Sequence, residues 1–272
     1  MEFSRVWKGY QGSSFGELLA SDHSYLTFDW ASVQQPGSQP LQVPHGTTVL
    51  AFKYTDGVVV AGDRLATEGM RVASREVQKV YATDEHSMIA IAGAAGPAIE
   101  MARLMRIELE HYEKIEGDAL ELDGKANKLS QMIRANLPAA MQGMVVVPLF
   151  AGYDLRRKQG RLWKFDITGG RYEEADFEAT GSGGLYARES LKKRQRHNGS
   201  REEALRSAVE ALTDAADEDR GTGGIDTLRG IFPTVIFCSE RGIEEGGEAE
   251  IRAAHEHLLE RQGNDRKNGD SL

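Results

Sequence analysis

Cysteine is almost missing from this chain. Cys238 is the only one in 272 residues, so no intramolecular disulfide can form, and no Cys/His spacing suggests zinc. It lies in the apolar run Ile231 to Cys238 and reads as a small buried hydrophobe rather than a nucleophile. Long hydrophobic stretches are missing too: no run approaches the roughly 20 apolar residues that span a bilayer. Trp7-Lys8-Gly9-Tyr10-Gln11-Gly12 is not a signal-peptide core, so a cytoplasmic protein with no membrane partner is expected. In that setting Asn198-Gly199-Ser200 is a polar turn rather than a glycosylation site. Positive charge is in deficit, 33 Lys+Arg against 42 Asp+Glu with no basic block, which argues against nucleic acid. The length suits one large domain with a real core, plus tails, and no internal repeat is visible.

What is present changes character at Thr47. Residues 1–46 are rich in Ser, Gln, Gly and Pro, end in Gln34-Gln35-Pro36-Gly37-Ser38-Gln39-Pro40, and show no sustained period. Their isolated aromatics (Phe3, Trp7, Tyr10, Phe15, Tyr25, Phe28 and Trp30) could dock on another surface. This leader is either a flexible tail or a propeptide that shields Thr47.

From Thr47 onward apolar runs predict strands over 48–54 and 57–61, joined at Thr55-Asp56-Gly57, where Asp-Gly is a hairpin cue. After a polar loop, strands are predicted over 79–82 and 87–93. Helical spacing covers 97–113 and 125–141. Strands return at 144–152 and 161–166, helices at about 185–196 and 201–217, and a last strand at 233–237. An acidic tail over 241–272 follows, with an exposed helix expected at 248–261 and disorder at 262–272. Strand-rich and helix-pair blocks in turn, without βαβ alternation, predict two packed sheets with a helix pair on each outer face. The expected fold is a four-layer α+β domain.

The stretch His45-Gly46-Thr47-Thr48-Val49 sets the chemistry. A threonine hydroxyl is a poor nucleophile without a base, and one solution makes the threonine the first residue of a cut chain, whose own α-amine is the base. That amine has a reference pKa of about 7.7–8.0. Gly46, without a Cβ, permits the tight approach needed for self-cleavage at Gly46–Thr47. Such a site needs a tuner, a partner that keeps the tuner charged, and N–H groups for the oxyanion. Lys79 can be the first, Asp63 the second, and the turn Gly93-Ala94-Ala95-Gly96 the third. Taken singly, Lys79 reads as a solvated edge lysine and Asp63 as a turn former.

Together these residues carry a resemblance. Thr47-Thr48-Val49, Gly62-Asp63-Arg64-Leu65-Ala66-Thr67, Lys79-Val80 and Ala92-Gly93 fall at the separations of the 20S proteasome β subunits, especially the actinobacterial ones. Gly181-Ser182-Gly183-Gly184 and Asp219-Arg220-Gly221-Thr222-Gly223-Gly224 resemble that family's later active-site turns, and the likeness runs from Thr47 to about Ser239. It implies an N-terminal nucleophile hydrolase fold, an αββα sandwich of antiparallel sheets, with the catalytic domain over 47–240. Thr47 would be the nucleophile, Asp63 and Lys79 its supporting pair, and Ser182, Asp219 and Thr222 its amine and proton network. Thr222 stands where the family has a serine-like residue, so the hydroxyl is kept. The Gly93 N–H would line the oxyanion hole and Thr67 would pair with substrate backbone. Ala66, Val77, Ile91, Ala95 and Ile99 would line an apolar pocket, unless several are simply core.

The resemblance also implies partners and no metal or nucleotide cofactor. The assembly would be two β heptamers between two α heptamers, fed by a ring ATPase with proteins tagged by a small ubiquitin-like modifier. Inactive scaffold subunits lack the processed threonine or the lysine, and this chain keeps both. The bacterial two-ring peptidase, which has almost no propeptide and a shorter mature chain, fits the leader and tail less well. A self-processing protein with a non-peptide amide substrate is the remaining alternative.

Overall fold

The computed structural model describes residues 12–15, 17–18, 46–68 and 71–269. Of the leader's aromatics only Phe15 falls within them; His45 and the run 34–40 lie outside the described residues. Two five-stranded antiparallel sheets form the centre of the molecule. The first has the order β10-β1-β2-β11-β12, from β1 (Thr48–Tyr54), β2 (Gly57–Gly62), β10 (Phe177–Gly181), β11 (Thr234–Ser239) and β12 (Gly242–Glu245). The second runs β5-β6-β7-β8-β9, from β5 (Val80–Asp84), β6 (Ser87–Gly93), β7 (Val146–Asp154), β8 (Gln159–Phe165) and β9 (Arg171–Glu174). A separate hairpin pairs β3 (Ala66–Glu68) with β4 (Arg71–Ser74).

Continuous apolar strands follow from burial on both faces. In β1, Val49 and Ala51 point between the sheets, where they meet Met88, Ala90, Leu149 and Leu162. Leu50, Phe52 and Tyr54 point the other way, onto helices α4 (Gly184–Arg194) and α5 (Arg201–Glu218). On the far side Ile89, Ile91, Phe150 and Trp163 pack under α1 (Ala95–Glu116) and α2 (Leu122–Ala135). The layers are therefore helix, sheet, sheet, helix, which is the αββα sandwich.

Several boundaries differ from expectation for identifiable reasons. The helix expected over 125–141 breaks at Asn136 into α2 and a single turn, α3 (Leu137–Ala140). Pro138 has no N–H to continue the ladder and its ring crowds the preceding turn. β3, β4, β9 and β10 carry too little apolar alternation to be read as strands; their pairing partners define them. Gly57 is not needed for a left-handed turn. A Cβ there would come within 2.0 Å of the Cys238 carbonyl oxygen, so close approach of β11 demands glycine. The Asn198-Gly199-Ser200 turn ends in a helix cap, with Ser200 and Glu203 forming a reciprocal capping box at the start of α5.

The largest departure is past Ser239. Instead of an exposed acidic tail, β12 extends the first sheet by pairing with β11, and α6 (Glu248–Gly269) packs over α5. Ile251, Ala254 and Leu258 are buried, and Ile251 and Ala254 join the core cluster that holds Leu50 and Phe52. The helix continues through 262–269, where disorder was expected. No helix among the described residues is long and apolar enough to cross a membrane. Because Ile251 is a core residue, Ile251→Ala should destabilise the fold by about 2–5 kcal/mol in chemical denaturation. A change within about 0.5 kcal/mol, the range of ordinary surface substitutions, would mean that α6 is not part of the core.

Candidate active site

Thr47 stands one residue before β1, and the end of β10 clamps it. The Ser182 N–H donates to the Thr47 carbonyl at 2.8 Å, while the Thr47 N–H donates to Ser182 Oγ at 3.4 Å. Gly181 makes the clamp close: its φ is +101°, and a Cβ would fall 2.0 Å from the Thr47 carbonyl oxygen. The Thr47 hydroxyl turns back on the preceding peptide and donates to the Gly46 carbonyl at 2.7 Å. Gly46 has no room for a side chain, because a Cβ would sit 2.5 Å from Thr67 Oγ1 and 2.7 Å from the Gly221 carbonyl oxygen.

On one side of Thr47 lies a buried ion pair. Asp63 follows β2 directly and its backbone N–H donates to the Thr48 carbonyl at 3.1 Å. Its carboxylate receives the Thr48 N–H and Lys79 Nζ on Oδ1, each at 2.7 Å, and the Leu65 and Gly223 N–H groups on Oδ2 at 2.9 and 2.8 Å. Lys79 sits just before β5, fixed where its carbonyl accepts the Ile91 N–H at 2.9 Å. Its Nζ donates to Asp63, to the Leu65 carbonyl at 2.5 Å and to the Gly46 carbonyl at 3.3 Å. Three acceptors satisfy the three N–H bonds of an ammonium. Burial pushes the Lys79 pKa below its ordinary value, and Asp63 opposes that shift. At 4% exposure Lys79 is not a solvated edge lysine, and with four donors on it Asp63 is more than a turn former.

On the other side lies a group of hydroxyls around Asp219. Ser182 Oγ and Thr222 Oγ1 donate to Asp219 Oδ2 at 2.5 and 2.6 Å, and the Gly221 N–H reaches Oδ1 at 3.1 Å. Burial pushes the Asp219 carboxyl up. The bonds from Ser182, Thr222 and Gly221, with the Lys79 charge nearby, outweigh that and hold it below its ordinary value.

A pocket opens beside these groups. Its lining includes Gly46, Thr47 and Lys79 together with Ala66, Val77, Ile91, Ala95 and Ile99. All five expected apolar residues therefore face one space, although Ile91 is also core and Ile99, 48% exposed, forms the rim. Gly93, with φ +120°, lines it as well, and the first turn of α1, which has no side-chain cap, ends against it. Thr67 in β3 stands against Gly46.

Residues 43–228 match the family described as "Proteasome subunit". The chain belongs to the proteasome subunit family. A protein of Acidothermus cellulolyticus named "Proteasome subunit beta" is 51% identical over 91% of this chain and 86% of its own length. Proteins of the same name from Acidimicrobium ferrooxidans and Streptomyces griseus are 54% and 48% identical, over 88% and 90% of this chain and 86% and 90% of their own. Within the proteasome family the chain stands with the bacterial β subunits.

Sequence reasoning missed several residues of this proteasome site. Gln78, Tyr81 and Ala98 also line the pocket, and strand and helix periodicity around Lys79 and Ile99 would have found Tyr81 and Ala98. The Leu65 carbonyl, a Lys79 acceptor, leaves no sequence signal because any residue carries it. The Thr48 side chain, buried and bonded to Thr222 and Gly183, has no signal in the local sequence beyond the run Thr47-Thr48-Val49. Cys238 lies between the sheets, and burial pushes its thiol up to about 12. At pH 8 a thiol reagent should leave the native protein unlabelled and modify Cys238 only after denaturation. Rapid labelling of the folded protein would contradict this placement.

Proposed function

We propose that this proteasome subunit is a threonine endopeptidase that matures by cutting its own Gly46–Thr47 bond. The observation that carries the reading is the meeting of a hydroxyl and a buried ammonium at one carbonyl. Thr47 Oγ1 lies 2.7 Å and Lys79 Nζ 3.3 Å from the Gly46 oxygen, with Asp63 behind the lysine. The Thr47 oxygen adds to the Gly46 carbonyl carbon while its hydroxyl proton passes through a water molecule to the Thr47 nitrogen, and the Lys79 ammonium stabilises the negative charge that develops on the Gly46 oxygen. Collapse moves the acyl group from nitrogen to oxygen, and water then hydrolyses the ester. Residues 1–46 leave as a propeptide with a Gly46 carboxylate, and Thr47 gains a free α-amine.

In the mature chain that amine is the general base, next to Ser182 Oγ, which donates in turn to the Asp219 carboxylate. It takes the Thr47 hydroxyl proton as Oγ1 attacks a substrate carbonyl, and delivers it to the departing amine. The ester-linked acyl-enzyme is then opened by water that the amine activates. Ser182, Asp219 and Thr222 orient the amine, the Gly93 N–H receives the oxyanion, and Thr67 pairs with the substrate backbone as an added strand. Ala66, Val77, Ile91, Ala95 and Ile99 favour an apolar residue before the scissile bond. No step calls on a metal or nucleotide.

The names of the bacterial relatives support assembly with α subunits in a barrel. We extend this to two β heptamers between two α heptamers, a ring ATPase docked on the α ring, and protein substrates tagged with a ubiquitin-like modifier in the cytoplasm. An enclosed chamber suits a site whose pocket selects little beyond apolar character.

Thr47→Ala in the particle assembled with α subunits should leave residues 1–46 attached and lower peptide hydrolysis by about a thousandfold or more. Normal processing of that variant would remove Thr47 as the nucleophile. Lys79→Ala should leave Gly46–Thr47 largely uncut by intact mass, and a fully processed form would take the lysine out of the mechanism. Gly46→Ala should slow cutting through the contacts with Thr67 and Gly221, whereas a wild-type rate would show that this approach is not required.

A further inference from the structure

The residue after the nucleophile touches both halves of the site. Thr48 is completely buried, and its backbone N–H donates to Asp63 Oδ1 at 2.7 Å. Strand alternation sends its side chain to the opposite face of the sheet from Val49, toward the start of α4. There Thr48 Oγ1 accepts the Gly183 N–H at 2.9 Å and lies 2.6 Å from Thr222 Oγ1.

Counting hydrogens fixes the direction of this chain. The Asp219 carboxylate only accepts, so Thr222 gives its one hydroxyl hydrogen to Asp219 Oδ2. Thr222 therefore accepts in its contact with Thr48, and Thr48 is the donor. The Thr48 oxygen in turn receives Gly183. Every hydroxyl then has a single orientation, running from Thr48 through Thr222 to Asp219, which also holds Ser182 beside the Thr47 nitrogen. Gly183 is shaped around this contact: a Cβ there would meet Thr222 Oγ1 at 2.4 Å and Thr48 Oγ1 at 2.6 Å.

We infer that Thr48 is a positioning residue of this site, its N–H fixing Asp63 on the lysine side and its hydroxyl fixing the Thr222–Asp219–Ser182 relay on the amine side. The inference rests on the threonine-peptidase reading above. A bond from one residue to each half keeps the two halves in register with Thr47, one peptide away. Without the Thr48 donor, the Thr222 oxygen loses the bond that polarises its hydroxyl, and the hydrogen bond that it gives to Asp219 weakens. One of the bonds that keep the carboxyl ionised at low pH is then weaker.

The test uses the full chain co-expressed with its α subunit, following peptide hydrolysis by the assembled particle against pH. Thr48→Val is nearly isosteric and removes the hydroxyl. It should lower kcat about tenfold or more with little change in KM, and move the acid limb of the kcat profile upward. Thr48→Ser keeps donor and acceptor and should recover most of kcat and the original limb. Wild-type kcat and pH profile in Thr48→Val would overturn the inference. So would a Thr48→Ser variant as defective as Thr48→Val, since the loss would then belong to packing of the methyl group. If Thr48→Val does not assemble, Thr48→Cys replaces it. A thiol is a weaker donor, so a smaller shift of the same sign is expected, and an unchanged profile overturns the inference. A wild-type particle without peptidase activity would instead remove the parent reading, which separates the two failures.

Discussion

The site depends on one buried ion pair. Lys79 and Asp63 meet at 2.7 Å with side chains 4% and 0% exposed, where an unpaired charge is costly. Burial works against the lysine charge, and the fold answers with acceptors from Asp63, Leu65 and Gly46. Deleting either partner of such a pair typically costs about 3–5 kcal/mol because the other is left uncompensated. The pair also determines geometry. Asp63 is held by N–H groups from Thr48, Leu65 and Gly223, so strand β1, the exit of β2 and the 219–224 turn converge on one carboxylate. The lysine then carries that order to the Gly46 carbonyl.

The two sheets explain why distant residues converge. β1 lies between β10 and β2, so the ends of both neighbours fall beside Thr47 and bring Gly181-Ser182 and Gly62-Asp63 with them. β5 and β6 belong to the opposite sheet, and their packing on the first delivers Lys79 and Gly93 across the core. Glycine is required where backbones approach Thr47: at Gly181 a Cβ meets the Thr47 carbonyl, and at Gly46 it meets Thr67 and Gly221. The site is thus a product of close backbone packing as much as of its polar side chains.

Much of this was legible from residue order. The αββα layering follows from the alternation of strand blocks with helix pairs, and Thr47, Asp63 and Lys79 stand out by their spacing. Three parts were not legible. Polar strands such as β9 have no apolar alternation, so only their partners reveal them. The helix α6 reads as exposed because charged and other polar residues outnumber its apolar ones, yet Ile251, Ala254 and Leu258 make a sufficient buried stripe. The hydroxyl role of Thr48 depends on which face of β1 meets α4, and local sequence does not carry that information.

The central claim is that Thr47 becomes the first residue of the working chain. The most direct measurement is the intact mass of this chain taken from a particle assembled with its α subunit. The account predicts a mass equal to Thr47–Leu272. A full-length mass from a fully assembled, peptide-hydrolysing particle would contradict it, because the α-amine proposed as the base would still be an amide.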